Sequence, residues 1–359
     1  MSKTPIRIRK SQPATDLSEK NFKLRANKLY QAHEFDEVRS ETEAVIDVKW
    51  KLYDDSKKSP ISKKAGAQFK HPEVEVAVDW LKTREAIKRA KIVHDHPGAK
   101  PHFLIINGSP RSEHTCPGET SKTHRMAESV ITHFKKKNIS HDYLDLSRIN
   151  AEYGIQIHPC KACVSTAMPL CHWPCSCYPN HALGQIHDWM NEIYPMWTRA
   201  HGVMILTPVH WYSPTSVFKL MMDRLVCADG GNPDYTSTKG KTVSLAKEME
   251  MKGWDFPKHL CGRLFSVVTH GDSEGAGHVK TSIENWLLDM GLISAGNEAC
   301  IDRYVGYYKP YAQSHDDYDL DKDLHREVAK AASLLVEEVK KIMGKPRNEA
   351  VYQQAVRRK

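Results

Sequence analysis

Phe103-Leu104-Ile105-Ile106-Asn107-Gly108-Ser109-Pro110-Arg111 is the stretch from which the fold is read. Four apolar residues in unbroken succession suit a strand covered on both faces, because a strand with one wet face would alternate. The run stops in a group of turn formers. Helical periodicity then runs from Lys122 to Lys137, with Met126, Val130, Ile131 and Phe134 on one side. The same alternation repeats downstream. Tyr143-Leu144-Asp145-Leu146, Val203-Met204-Ile205-Leu206 and Leu264 to Thr269 read as further strands, and a fifth is expected near Leu292 to Ile301. Helices are expected from Leu183 to Trp197, Ser216 to Leu225, Val279 to Met290 and Leu324 to Met343. Five buried strands alternating with helices predict an α/β, doubly wound parallel sheet, since right-handed crossovers lay helices over both faces. Ligands of such sheets bind beyond the carboxyl ends of the strands.

Upstream the texture differs. Residues 1–100 predict a basic, mostly helical extension: a non-periodic arm over 1–20, helix or turn from Phe22 to Leu52, a Ser/Lys/Pro break at 56–60, and a helix from Val74 to Val93. Residues 101–339 carry the sheet, and 340–359 form a basic tail. Lys and Arg outnumber Asp and Glu by 22 to 15 over residues 1–100 and by seven to one over 340–359, so the middle holds −5 of the +8 total. A mildly acidic body argues against a nucleic-acid groove through its centre, which would need clustered cations. With 40% hydrophobic and 27% charged residues the 359-residue chain reads as an ordinary globular protein. No stretch approaches the roughly 18 apolar residues of a membrane span, and mean hydropathy is −0.56. The basic N-terminus lacks the apolar block of a secretory signal, so a cytoplasmic address is expected.

Three strand exits carry polar or glycine-rich sequence. The first joins Ser109 and Arg111 to a helix opening at Ser121, Lys122 and Thr123, where hydroxyls, a guanidinium and helix-start amides suit a phosphate; simple helix capping explains Ser121 and Thr123 equally. The second, Thr207 to Ser213, holds Pro208, Val209, His210, Trp211 and Tyr212, a stiff segment on which a planar ring could lie. The third, from Thr269, His270, Gly271 and Asp272 to Gly277, has glycines that permit close backbone approach. The alternative is a plain surface loop with two aromatics shielding the sheet end. Neither G-x-x-x-x-G-K-[ST] nor G-x-G-x-x-G occurs, which counts against nucleotide hydrolysis and classical dehydrogenase chemistry.

Taken together, Ile106 to Arg111, the Pro159-Cys160-Lys161-Ala162-Cys163 turn, Thr207 to Trp211 and the helix Phe218-Lys219-Leu220-Met221-Met222-Asp223-Arg224 resemble the flavodoxin-fold NAD(P)H-dependent FMN reductases, a family that includes iron–sulfur flavoproteins. The resemblance spans about 101–300. It implies a five-stranded flavodoxin-like sheet, non-covalent FMN, NAD(P)H as co-substrate, homo-oligomers, and electrons passed to a quinone, flavin or other small acceptor. It assigns the FMN phosphate to Ser109, Arg111, Ser121 and Thr123 with Lys122 nearby, the isoalloxazine ring to Pro208, Val209, His210, Trp211 and Tyr212, and the ring's other side to Thr269 through Asp272. An insertion at 113–119, the long segment 226–262 and the first hundred residues depart from the family pattern. The rival reading is a flavin or iron–sulfur electron-transfer module that docks a protein partner and turns over no small molecule.

Five of the nine cysteines, Cys160, Cys163, Cys171, Cys175 and Cys177, fall in C-x2-C-x7-C-x3-C-x-C. Such thiols could bind Zn or a [4Fe–4S] cluster. The family's iron–sulfur run is tighter, and Ser165 and Thr166 stand where its third ligand belongs, so reduced structural or redox thiols are the other reading. His210 and His270 are the histidines on site loops. Asp223 and Arg224 read as an anchoring ion pair, and no nucleophile triad is legible.

Overall fold

The computed structural model describes residues 17–54, 62–115, 120–152, 154–180, 185, 187–272 and 274–343. The N-terminal arm up to residue 16, the break at 56–60, residues 116–119 of the insertion, Leu183, Ile186 and the tail from residue 344 lie outside them.

The extension begins with α1 (Glu19–Asn27) and α2 (Arg39–Asp54), which pack together through Phe22, Trp50 and Tyr53, followed by a hairpin of β1 (Ser62–Lys64) and β2 (Glu75–Ala77) and then α3 (Val78–Asp95). The expected helix from Val74 therefore starts four residues later, because Glu75–Ala77 pair with 62–64 first. Trp80 buries its ring with Phe69 and Val76 and donates from Nε1 to the Pro174 carbonyl at 2.8 Å, tying this extension to the cysteine-bearing segment of the body.

The body alternates β3 (His102–Asn107), α4 (Lys122–Lys136), β4 (Ser140–Asp145), the one-turn α5 (Arg148–Ala151), α6 (Met190–Arg199), β5 (Gly202–His210), β6 (Ser213–Pro214), α7 (Ser216–Arg224), α8 (Val243–Met251), β7 (Leu264–Gly271), α9 (Ala276–Asp289), β8 (Ile293–Ser294), β9 (Cys300–Tyr304), α10 (Ser314–Leu320) and α11 (Lys322–Met343). The sheet runs β4-β3-β5-β7, with β8 and β9 both parallel to β7 beyond it. This is the doubly wound order 2-1-3-4-5. The fifth strand is split: β8 pairs with Leu264 and Phe265, β9 with Val267 to Gly271. The helix expected from Leu183 begins only at Met190.

Apolar runs on β3, β5 and β7 are buried on both faces, as continuous hydrophobicity requires. One face packs α4 and α11 through Phe134, Val130, Leu335 and Val339; the other packs α6, α7 and α9 through Trp197, Phe218 and Ile283. Each such side chain contributes roughly 1.5–3 kcal/mol on burial. Arg224 pairs with Asp188 at 2.5 Å, whereas Asp223 pairs with Lys219, one turn back on α7: the expected Asp223–Arg224 pair is replaced because neighbours in a helix point apart. No helix among the described residues is long and apolar enough to cross a membrane.

Candidate functional site

Parallel register brings the ends of β3, β5 and β7 to one edge. Asn107 ends β3 and is locked there: its side chain donates to Asp145 at the end of β4 and accepts from the Ser109 amide, both at 3.0 Å. Gly108 then passes so close to β5 that a Cβ would lie 2.7 Å from Thr207 Oγ1, and its amide donates to the Leu206 carbonyl at 2.7 Å. Only glycine fits this exit. Ser109 Oγ accepts from the Arg111 amide at 3.1 Å, a tight turn that aims the guanidinium back over the strand ends.

The helix opposite supplies the second wall. Ser121 caps α4, its Oγ accepting from His124 N at 3.1 Å. The amides of Lys122 and Thr123 fall in the first turn, where a helix offers no acceptor of its own and its dipole favours an anion. Lys122 is buried; its Nζ donates to Ser314 Oγ at 2.5 Å and lies 4.9 Å from the centre of the Tyr311 ring, on whose face Arg111 also sits at 4.2 Å. Two cations are thus both held against one aromatic ring.

These walls enclose a cavity of ≈ 180 Å³ lined by Ser109, Arg111, Ser121, Lys122, Thr123, Pro208, Val209, His210, His270, Gly271, Asp272, Val305 and Tyr311. His270 is buried, and its Nε2 lies 2.8 Å from Thr123 Oγ1, while Nδ1 has no hydrogen-bond partner among the described residues. Burial, with Lys122 and His210 adding repulsion, pushes its imidazole down to about 3, so it is neutral at physiological pH. Partial burial and the nearby Arg111 likewise lower His210, against an opposing pull from Asp272.

Eleven residues expected at the strand exits therefore meet around one cavity. Three others do not line it. Thr269 is fully buried behind the wall and donates to the Ala276 carbonyl at 3.0 Å. Trp211 and Tyr212 form the two-residue turn between β5 and β6, with φ of 49° and 60°. A turn of this kind matches strand twist only when both residues take positive φ, and it throws its side chains outward. Trp211 is 94% exposed and Tyr212 62%. Thr207 to His210 continue β5 as strand, so of this loop Pro208, Val209 and His210 line the cavity, while Trp211 and Tyr212 stand beyond its lining. Val305 and Tyr311 were missed. They follow β9, and the strand-end logic applied to Tyr304-Val305-Gly306-Tyr307-Tyr308-Lys309-Pro310-Tyr311 would have found them.

The cysteines make a separate group. All five are free thiols, and no cluster of three or more His, Cys, Asp or Glu side chains among the described residues is arranged to hold a metal ion. The expected Zn or [4Fe–4S] ligation by Cys160, Cys163, Cys171, Cys175 and Cys177 finds no support among the described residues, where these sulfurs are seen with local partners. Cys163 hydrogen-bonds Cys177 at 3.4 Å, Cys160 accepts from the Ala162 amide, and Cys171 is buried in the apolar core.

A parallel sheet of this order, with a helix start and cationic side chains at its carboxyl edge, defines the flavodoxin-like class of α/β proteins. Residues 101–304 match the sequence profile of the NADPH-dependent FMN reductases, and the chain belongs to that family of flavin oxidoreductases. No curated relative matches the chain. Among solved structures it is similar to RosB with bound 8-demethyl-8-formylriboflavin-5'-phosphate (13% identity, TM-score 0.48, covering 72% of this chain and 84% of that one). It is also similar to the apo form of the NADH:FMN oxidoreductase EMOB (12% identity, TM-score 0.37, 72% and 97%). A third is the WrbA-like flavodoxin of Agrobacterium tumefaciens (11% identity, TM-score 0.33, 67% and 99%).

Proposed function

We propose that this flavoprotein takes electrons from NAD(P)H and delivers them to a quinone, a free flavin or another small acceptor, working as a cytoplasmic homo-oligomer. The carrying observation is that one cavity gathers Ser109 and Arg111 from the loop after β3, the first turn of α4, the edge of β5 and the end of β7. Its donor set suits FMN. The hydroxyls of Ser109, Ser121 and Thr123, the guanidinium of Arg111 and the first-turn amides would hold the phosphate, with Lys122 adding charge behind them. The Nδ1 of buried His270, without a hydrogen-bond partner among the described residues, offers a further polar contact to a bound group. At ≈ 180 Å³ the cavity is smaller than ligand clefts of about 300–1,000 Å³, so the flavin ring would lie across its mouth, between Pro208 to His210 and Gly271 to Asp272.

Bound FMN would supply two-electron chemistry; the protein's own residues orient it and shape what can approach. Neutral His210 and His270 leave the positive charge concentrated on Arg111 and Lys122, at the phosphate end. The exposed Trp211 and Tyr212, at the rim, would meet whatever docks there.

The test is reconstitution of the full chain with FMN followed by NADH and NADPH oxidation with and without added quinone or free flavin. One tightly held FMN per chain and acceptor-dependent turnover are expected. A colourless protein that refuses FMN overturns the reading, and a yellow protein without turnover favours the partner-docking module.

A further inference from the structure

Outside the cavity, Cys163 opens a short helical turn (Cys163–Ser165) and faces Cys177 across 3.4 Å between sulfurs. Lys241 lies beside them. Its Nζ donates to the Leu170 carbonyl at 2.7 Å and stands 3.5 Å from Cys163 Sγ. An ammonium held against one sulfur of a close pair favours that sulfur's thiolate, the form that reacts. The hydrogen bond from Cys177, with Lys241 assisting against burial, draws Cys163 down to about 7. Its neighbours are pushed the other way: burial raises Cys171 and Cys227, and the hydrogen bond to Cys177 together with burial raises Cys175. Cys163 and Cys177 are both half-buried, so neither residue is sealed from solvent and a small oxidant.

We propose that Cys163 and Cys177 are a redox modification site, closing to a reversible disulfide when a small peroxide is present. The Cys163 thiolate attacks the peroxide O–O bond; an S–O bond forms, the O–O bond breaks, and the leaving hydroxide is protonated to water. The Cys177 sulfur then attacks the resulting sulfenic acid; the S–S bond forms, the S–O bond breaks, and the departing hydroxyl leaves as a second water with the Cys177 proton. The two thiols give up two electrons and one hydrogen peroxide is reduced to two waters. An external dithiol returns the electrons. The sulfurs need only close from 3.4 Å to about 2.05 Å. This inference does not depend on FMN binding.

The test is to reduce and desalt the full chain, expose it to hydrogen peroxide, and count thiols after denaturation. Loss of two of the nine cysteine thiols is expected, with a mapped Cys163–Cys177 cross-link and recovery in dithiothreitol. Cys163→Ser should abolish the loss, Cys177→Ser should leave Cys163 as a sulfenic acid captured by dimedone, and Lys241→Met should slow oxidation at least tenfold, read on protein whose near-ultraviolet circular dichroism matches that of the wild-type chain. Nine thiols remaining in the wild-type chain, or a cross-link joining Cys177 to Cys175, would overturn it whatever the variants do.

Discussion

Thr123 Oγ1 and His270 Nε2 stand 2.8 Å apart in the interior, joining the first turn of α4 to the end of β7 across the cavity floor. The two residues are 147 positions apart in the chain, so this bond sets the distance between two of the three walls. Removing the hydroxyl would leave both ring nitrogens of a buried imidazole without partners, since Nδ1 already has none among the described residues.

Thr123→Val keeps the side chain's shape and deletes that bond. We expect a loss of about 1–3 kcal/mol in unfolding free energy, the usual cost of stranding a buried polar atom, with Thr123→Ser close to wild type. Urea denaturation at pH 7 measures it. A valine variant as stable as the wild type would mean that His270 is not held by this bond.

Arg111→Ala addresses the phosphate. The guanidinium rests on Tyr311 4.2 Å from the ring centre, so its direction is set before any ligand arrives. A charge-assisted hydrogen bond is worth about 1.5–3 kcal/mol, which corresponds to an FMN affinity weaker by roughly 10- to 100-fold. Fluorescence titration of the apoprotein gives the value directly. Turnover at saturating FMN should change much less, and an unchanged affinity would remove Arg111 from the phosphate site.

The fold was largely legible because its strands are buried on both faces and therefore spell themselves out as unbroken apolar runs: Phe103 to Ile106 needed no other context. The fifth strand was less so, since Gly296 and the short turn at Asn297–Ala299 divide its pairing with β7 into two pieces. The three cavity walls could be read from the polar residues that follow each strand. What could not be read was local backbone sign. Nothing in the pattern of Thr207 to Ser213 marks Trp211 and Tyr212 as a positive-φ turn, since bulky residues rarely adopt that conformation. The cysteine spacing likewise says nothing of direction: whether sulfurs converge depends on the three-dimensional course of residues 160–177, and here Cys171 turns into the core while Cys163 turns to Lys241.

Acid should destabilise the protein before its carboxylates titrate. Burial, reinforced by nearby cations, holds His94 and His270 down to about 3. In the unfolded chain the same groups take up protons near about pH 6.5. Their stabilising contribution is therefore complete above that pH and falls away as the pH drops toward 3. His124, raised by Asp145, works in the opposite sense. Between about pH 7 and 4.5 we expect a net loss on the order of 2 kcal/mol per buried histidine before that offset, and His94→Leu should flatten the slope. Equal urea midpoints at the two pH values would sink the argument.

The buried pair of Arg224 and Asp188 gives the sharpest stability test. Arg224 lies at the end of α7 and both side chains are shielded from solvent; the guanidinium donates to both Asp188 oxygens, at 3.0 and 2.5 Å, and to the His158 carbonyl at 2.8 Å, beneath the Tyr178 ring. These contacts hold the cysteine-bearing segment against the helix that follows β5. Asp188→Ala leaves a buried cation with no counter-charge, a defect that costs about 3–5 kcal/mol. Asp188→Asn retains one acceptor and should cost less. The double variant Asp188→Ala/Arg224→Met removes the charge along with its partner, so it should recover most of the loss; a double variant no more stable than Asp188→Ala would show that packing around Arg224, and not its unpaired charge, carries the penalty.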